Sequence, residues 1–266
     1  MKEALHTMIA EDCARWLGWP DPDAVGKGAA LPDQIEIFTV PGIGRRFAGC
    51  NLSSLTHFSA YNLGMDRSLG RLELPNVDIR YIAGAWPGIP LGLESQDPLY
   101  QLLQVKGYTH AFDEITFPAA WSYADWFERC FIEAAGVQAS DARERDRMLC
   151  SLAGCALHYV QDLCVPHHRW NMLLRGHARF EAKCLERWES MPRAERDLWV
   201  NDECGKAPRW SARGAAQGLM VQPGDVPGYR YNWSCFPFPR KLVDGSIRTC
   251  VRVTAAVLQY MKGYLS

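Results

Sequence analysis

The sequence predicts an all-α protein in which residues 1–266 form a single multi-helix domain. Apolar side chains recur at helical spacing in several long segments, whereas strand-like alternation is confined to short ones. No internal repeat and no break in composition marks a linker between domains. Four prolines interrupt the region 65–98, so we expect an irregular insertion around residues 58–109 that covers one mouth of the helical domain.

The N-terminal part begins with a clear helical pattern. Residues 3–18 carry an apolar side chain at every fourth position, and Gly18 ends this helix. Residues 19–34 contain repeated glycine and proline and are therefore expected to form a loop. Farther along, short strands are expected at 71–74 and 77–82.

The C-terminal part is predicted to be mostly helical. A helix is expected over 118–135. Asp141, with Glu144 three residues later, resembles a capping arrangement that begins a long helix ending near Leu163. The remaining predicted helices begin near Gly176, cover 194–200 and cover about 241–265.

The charge balance and the hydropathy exclude two classes of partner. The chain has 29 basic and 30 acidic residues, so it lacks the basic stripe with which proteins follow a nucleic-acid backbone, and no stable nucleic-acid partner is expected. No apolar run approaches the roughly 18 residues of a membrane span, so no transmembrane segment is expected. The expected partner is a small-molecule or phosphoester substrate.

The N-terminus and the cysteines bear on the cellular location. The first residues lack a basic region followed by an apolar one, which is the pattern of a signal peptide. The ten cysteines show no C-x-x-C pair of the kind that binds metal, and most are interpreted as buried, reduced thiols. A cytoplasmic location is therefore expected, or a secreted one if the N-terminus is a processed one.

Most of the candidate metal ligands lie in one short stretch near the middle of the chain. His158 and Asp162 are four residues apart, as are His177 and Glu181, so each pair shares one face of a helix. Pro166 ends the first helix and is followed by two further imidazoles, His167 and His168. A solvated, histidine-rich turn is the simpler interpretation, but packing alone does not explain why both pairs end beside one proline turn.

This set of ligands favours a catalytic zinc site. A set of imidazole and carboxylate ligands without thiolate is typical of catalytic zinc sites, whereas structural zinc sites are usually rich in cysteine. There are more ligands than one tetrahedral ion needs, which suggests two or more metal ions that share Asp162. Closely spaced zinc ions stabilise both the attacking and the leaving oxygen in a displacement at phosphorus.

These residues resemble a known signature. The pattern His158-Tyr159-x-x-Asp162-Leu163-x-x-Pro166-x-His168-x-x-Asn171 is similar to that of the bacterial zinc-dependent phospholipase C family and of the related fungal single-strand-specific zinc nucleases. Gly176-His177-x-x-x-Glu181 matches the next ligand pair of that superfamily. Gln161 stands where glycine or threonine is usual, Cys164 replaces a small polar residue, and His167 has no counterpart.

The resemblance implies an almost wholly helical domain with three zinc ions at the base of a cleft. His158 and Asp162 would bind the first zinc ion, and Asp162 would also reach the others. His168, His177 and Glu181 would bind its partner. His167 would lie behind the ligands or be solvated.

The resemblance also implies ligands farther along the chain. His6 resembles the helix-borne histidine of the third zinc site, which the amine and carbonyl of the N-terminal residue complete. Asp33, in Gly28-Ala29-Ala30-Leu31-Pro32-Asp33, resembles an aspartate that binds the first zinc ion and acts as the catalytic base. The remaining ligand is either His57 or His110, and both interpretations stay open. Residues 252–255 resemble the last helix of the superfamily.

The expected function is a polynuclear zinc hydrolase with two or three zinc ions. It would cleave a phosphoester, such as the phosphodiester of a phospholipid head group, a nucleotide or a small metabolite, by attack of a zinc-activated water. Alternatively, the same zinc site would act as a Lewis acid in a non-phosphate reaction such as elimination, cyclisation or ester hydrolysis. A third hypothesis treats the metals as structural and the protein as a binding module.

Overall fold

A computed structural model describes most of the N-terminal and C-terminal parts of the chain. The described residues are 1–34, 46–47, 50–51, 78–79, 108–109, 120–137, 141–169, 176–219 and 238–265. Their helices are α1 Glu3–Leu17, α2 Pro22–Gln34, α3 Ala120–Ala135, α4 Ala142–Asp162, α5 Pro166–Arg169, α6 His177–Ser190, α7 Arg193–Gly205, α8 Ala212–Leu219 and α9 Arg240–Lys262. The prediction of an all-α protein is thus confirmed at the level of a mostly helical fold.

Within the described residues, the strands form two short antiparallel pairs. Strand β1 Arg46–Phe47 pairs with β2 Cys50–Asn51, and β3 Asp78–Ile79 pairs with β4 Tyr108–Thr109. Strand β3 lies inside the predicted strand 77–82. Apart from these short strands, the predicted insertion lies outside the described residues, as do the candidate ligands His57 and His110.

Helix α1 has the boundaries that the sequence predicts. It ends at Gly18, whose φ of 66° is left-handed and suits glycine. The backbone N–H of Trp19 donates to the carbonyl of Ala14 and closes this end of the helix. Leu5 and Ile9 are fully buried on its inner face, so apolar burial holds α1 against its neighbours α2 and α9.

The prediction of a loop over residues 19–34 is wrong, because Pro22–Gln34 forms α2. Asp21 precedes the helix and accepts a hydrogen bond of 3.0 Å from the N–H of Ala24. Proline suits the first turn of a helix, where its missing N–H costs nothing. The glycines of this segment lie inside α2 and not in turns, and they allow close packing against other helices.

Helices α2 and α4 touch backbone to backbone. A Cβ atom at Gly28 would lie 2.2 Å from the carbonyl oxygen of Ser151, and one at Gly154 would lie 2.2 Å from that of Val25. Only glycine fits at such an approach. The contact fixes the position of Asp33, in the last turn of α2, relative to the C-terminal end of α4.

Helix α4 is the central element of the fold. Its predicted cap is confirmed, since the Asp141 side chain accepts hydrogen bonds from the N–H groups of Arg143 and Glu144. From Met148 to Asp162 every residue is buried, and α2, α3 and α9 pack around it. The candidate ligands on its last turns are therefore surrounded by other helices.

Helices α1 and α8 also contact α4. Helix α9 contacts α1, α4, α6 and α7. Helix α7 is longer than the predicted segment 194–200, and α8 was not predicted. Eight cysteines are buried, as the sequence suggests: Cys13, Cys130, Cys150, Cys155, Cys164, Cys184, Cys204 and Cys250. Among the helices that the structure describes, none combines the length and the apolar character needed to cross a membrane.

A buried carboxylate between α3 and α8 gives the fold a pH dependence. Glu128 accepts a hydrogen bond from the backbone N–H of Ala212. Burial raises the pKa of Glu128 from 4.5 to about 7, against the opposing effects of that bond and of Arg129. Because the folded state holds this proton more tightly than the unfolded state, stability is full below pH 4.5 and decreases as the pH rises to 7.

Glu128→Gln is expected to remove this decrease. In wild type, the free energy of unfolding should fall by roughly 2 kcal/mol across that range relative to the variant, because a glutamine stays neutral and still accepts the hydrogen bond. Urea titrations at several pH values measure this difference. Glu189→Gln, at an exposed position, is the matched control. If wild type and Glu128→Gln show parallel pH profiles, the carboxyl group does not carry the effect.

Candidate metal centre

Five helices of the fold bring seven candidate ligands together. Six of these ligands form two groups, and within each group the ligand atoms lie within 4.8 Å of one another. The first group is His6 from α1, Asp33 from α2 and His158 from α4. The second group is His168 from α5 and His177 and Glu181 from α6. Each group offers imidazole nitrogen and carboxylate oxygen, so each could hold a metal ion.

Asp162 lies between the two groups. Its Oδ2 is 3.3 Å from His158 Nε2. Its Oδ1 is 3.1 Å from His6 Nε2 and 3.7 Å from His168 Nε2. The carboxylate, only 1% exposed, therefore faces ligand atoms of both groups.

The second group is compact. Glu181 Oε1 lies 3.1 Å from His168 Nε2 and 2.8 Å from His177 Nε2, and the two Nε2 atoms are 2.7 Å apart. The ligand atoms of a tetrahedral zinc ion are separated by about 3.3 Å. Small outward movements of these side chains would therefore admit an ion.

The first group is held by contacts to the other ring nitrogens. His158 Nδ1 lies 2.7 Å from the carbonyl oxygen of Ala29, so it donates to that oxygen and leaves Nε2 as a lone-pair nitrogen. His158 Nε2 is 3.8 Å from Asp33 Oδ1. The rings of His6 and His158 are stacked with centroids 4.3 Å apart.

His6 Nε2 is the atom that best indicates a cation. It is buried, and it makes no hydrogen bond within the part of the chain that the structure describes. A buried, unsatisfied nitrogen beside a carboxylate is costly unless something fills the space between them. A metal ion shared with Asp162 would satisfy this nitrogen.

The amino group of Met1 approaches the same carboxylates. It contacts Asp162 and lies 2.8 Å from Glu181 Oε1. Burial alone would lower its pKa, but the charges of Asp162 and Glu181 outweigh burial and raise the pKa to about 11. In this structure a positive charge thus lies at the point where the two groups meet.

The electrostatics favour the metal-binding protonation state at Asp162, Glu181, His6 and His168. At His158 they do not, because the charges of Asp162 and Asp33 outweigh burial and raise its pKa. Burial would raise the pKa of Asp162, yet His168 and the Met1 amino group hold it well below its usual range. The Met1 amino group and His168 likewise keep the pKa of Glu181 low despite its burial. Burial lowers the pKa of His6 and lowers that of His168 to about 4. Ionised carboxylates and neutral imidazoles are the forms that bind cations.

Comparison with protein-family models, with curated proteins and with solved structures found no significant match for this chain. The arrangement of the residues themselves therefore carries the functional argument.

Most of the predicted ligands converge, and the structure decides between the two interpretations of His167. Seven of the nine predicted ligands lie in or between the two groups, and the other two, His57 and His110, lie outside the described residues. His167 is fully buried rather than solvated. Its ring centroid lies 5.7 Å from that of His177 and 5.5 Å from that of Phe180, so it packs behind a candidate ligand.

The residues that hold the ligand rings were not predicted. His6 Nδ1 lies 2.6 Å from Gln161 Oε1, and Gln161 Nε2 donates to Thr254 Oγ1 at 3.0 Å. The unusual glutamine immediately before Asp162 was the available sequence signal. Nothing local in the sequence pointed to Thr254 or to the carbonyl of Ala29.

Proposed function

We propose that the chain is a polynuclear zinc hydrolase that cleaves a phosphoester, and that it belongs to the superfamily of zinc-dependent phospholipases C and single-strand-specific zinc nucleases. The observation that carries the proposal is the position of Asp162. Its two carboxylate oxygens face His6, His158 and His168 at 3.1, 3.3 and 3.7 Å. A carboxylate shared between two imidazole-rich groups is the arrangement of a site with more than one metal ion.

The ligand chemistry favours zinc. Both groups supply nitrogen and carboxylate oxygen, which suit zinc better than the all-oxygen sites that magnesium and calcium prefer. Cys164 and Cys184 are buried on neighbouring turns, yet neither is a member of a ligand group. Thiolate-rich coordination, which is typical of structural zinc, does not describe this site.

The residues have distinct tasks in the proposed reaction. His6, Asp33, His158 and Asp162 would hold metal on one side, and Asp162, His168, His177 and Glu181 on the other. Bound zinc would lower the pKa of a water ligand and would stabilise the negative charge of the phosphoryl oxygens. The buried position of Asp162 fixes the spacing of the two sides.

Asp33 is suited to proton transfer. Its side chain is 32% exposed, more than that of the other candidate ligands in the described residues, so it lies at the open edge of the first group. Its Oδ1 is 3.8 Å from His158 Nε2. We assign to Asp33 Oδ1 the orientation of the attacking water and the acceptance of its proton.

Metal analysis combined with a substrate panel tests this proposal. The purified protein is expected to contain at least two zinc ions per chain. It should also hydrolyse at least one of three substrates: bis-p-nitrophenyl phosphate, a short-chain phosphatidylcholine or a single-stranded oligonucleotide. Removal of zinc with a chelator should abolish turnover, and added zinc should restore it.

The possible results separate the competing functions. Fewer than two zinc ions per chain would contradict the polynuclear mechanism. Full zinc occupancy without phosphoester turnover would favour the Lewis-acid alternative. If chelation unfolds the protein and no catalysis is found with any substrate, the metals are structural.

A further inference from the structure

A chain of three side chains links the first, fourth and ninth helices behind the metal centre. Gln161 Oε1 lies 2.6 Å from His6 Nδ1, and Gln161 Nε2 lies 3.0 Å from Thr254 Oγ1. His6, Gln161 and Thr254 are all 0% exposed. Water therefore does not compete for these hydrogen bonds, and each group depends on the others.

The direction of the hydrogen bonds determines where His6 carries its proton. An amide nitrogen only donates, so the donation from Gln161 to Thr254 turns Oε1 toward His6. An amide oxygen only accepts, so His6 Nδ1 must carry the ring proton. His6 Nε2 is then a bare nitrogen that lies 3.1 Å from Asp162 Oδ1, where a bound cation would meet its lone pair.

We propose that Gln161 is a positioning residue for metal binding, which fixes His6 as the Nδ1–H tautomer and directs Nε2 toward Asp162, with Thr254 anchoring the Gln161 amide. This inference rests on the proposed function, since His6 serves as a ligand only if the site holds metal. It assigns a role to two residues that do not touch the metal themselves.

The two imidazoles of the first group are held in different ways. His158 Nδ1 is fixed by the backbone carbonyl of Ala29, whereas His6 Nδ1 is fixed by a side chain. A side chain that lies behind a metal ligand typically contributes a factor of about 10 to 100 in metal affinity. The metal position at His6 is therefore the one whose affinity depends on Gln161.

The tautomer of His6 can be measured by NMR in the metal-free protein. In wild type with ¹⁵N-labelled histidine, NMR is expected to show the His6 proton on Nδ1, with His6→Gln assigning the signal. Gln161→Met removes the acceptor at similar volume and should shift the proton toward Nε2. If wild type carries the proton on Nε2, or if Gln161→Met leaves it on Nδ1, the proposal is overturned.

The affinity for zinc provides a second test of the role of Gln161. In competition with a chelator, Gln161→Met is expected to weaken one zinc ion about 10- to 100-fold and leave the others unchanged. Gln161→Glu keeps an acceptor for His6 and should restore the affinity. Gln259 lies on the same helix as Thr254 and donates to the carbonyl of Cys204. Gln259→Met removes this contact and is the control for lost packing. Equal affinities for Gln161→Met and Gln259→Met would contradict the role of Gln161.

Thr254 provides an independent variant if Gln161→Met does not fold. Thr254→Val removes one hydroxyl group at nearly constant volume, and it should weaken the same zinc ion several-fold, whereas Thr254→Ser should not. A Thr254→Val protein with wild-type affinity and an unchanged tautomer overturns the proposal. If wild type binds fewer than two zinc ions, the proposed function fails, while the tautomer measurement still decides the role of Gln161.

Discussion

Asp162→Asn is expected to weaken zinc binding in both ligand groups at once and to lower kcat/KM by more than about 100-fold, because even a residue behind a ligand costs 10- to 100-fold. The substitution keeps the shape of the side chain but removes the charge that faces His6, His158 and His168. Zinc stoichiometry and steady-state kinetics on the zinc-loaded protein measure the two effects.

A second ligand variant shows whether Asp162 is shared. His177→Gln removes a ligand that belongs only to the second group, so it should weaken one zinc ion and leave the other in place. Asp202→Asn, on the half-exposed side of α7, controls for the loss of a carboxylate elsewhere. If Asp162→Asn affects a single zinc ion as His177→Gln does, the carboxylate is not shared.

Gly154→Ala is expected to lower the free energy of unfolding by about 3 kcal/mol, at the upper end of the usual cost of overpacking. The added methyl group would lie 2.2 Å from the Val25 carbonyl and 2.6 Å from the Ala29 nitrogen. These are backbone atoms, so α2 itself must move away from α4. Since α2 carries Asp33 and the Ala29 carbonyl that holds His158, zinc affinity should decrease as well.

An exposed glycine in another helix provides the control. At Gly245 in α9, an added Cβ would meet nothing within 4 Å. Gly245→Ala is therefore expected to stabilise the protein by about 0.5–1 kcal/mol through lower entropy of the unfolded chain. Urea titration and zinc competition on both variants separate the two effects. Equal stability of Gly154→Ala and Gly245→Ala would rule out the close contact between α2 and α4.

The same glycines explain why part of the fold could not be predicted. The sequence gives α1, α4 and α9 correctly because each has apolar side chains at helical spacing. The sequence predicts a loop where α2 lies, because its repeated glycine and proline resemble turn signals. The actual role of Gly28 depends on Ser151, more than one hundred residues away, and no local pattern reveals that partner.

In the metal centre, too, the sequence predicts some residues and not others. His158 with Asp162 and His177 with Glu181 are recognisable because their spacing of four residues is set by the helix itself. His6 and Asp33 required the resemblance to known zinc enzymes, since each stands alone in its segment. The bond from Gln161 to Thr254 joins side chains 93 positions apart, so it becomes visible only after the helices have packed.

The long separation between these groups has a consequence for biosynthesis. The Thr254 hydroxyl belongs to α9, which packs against α1 and α4 and leaves the ribosome after every described ligand has been made. Contacts between distant parts of a chain form late, because closing the intervening loop costs entropy. We therefore expect the His6 position to reach its full affinity for zinc only after translation of α9. Loading of that position would then follow synthesis rather than accompany it.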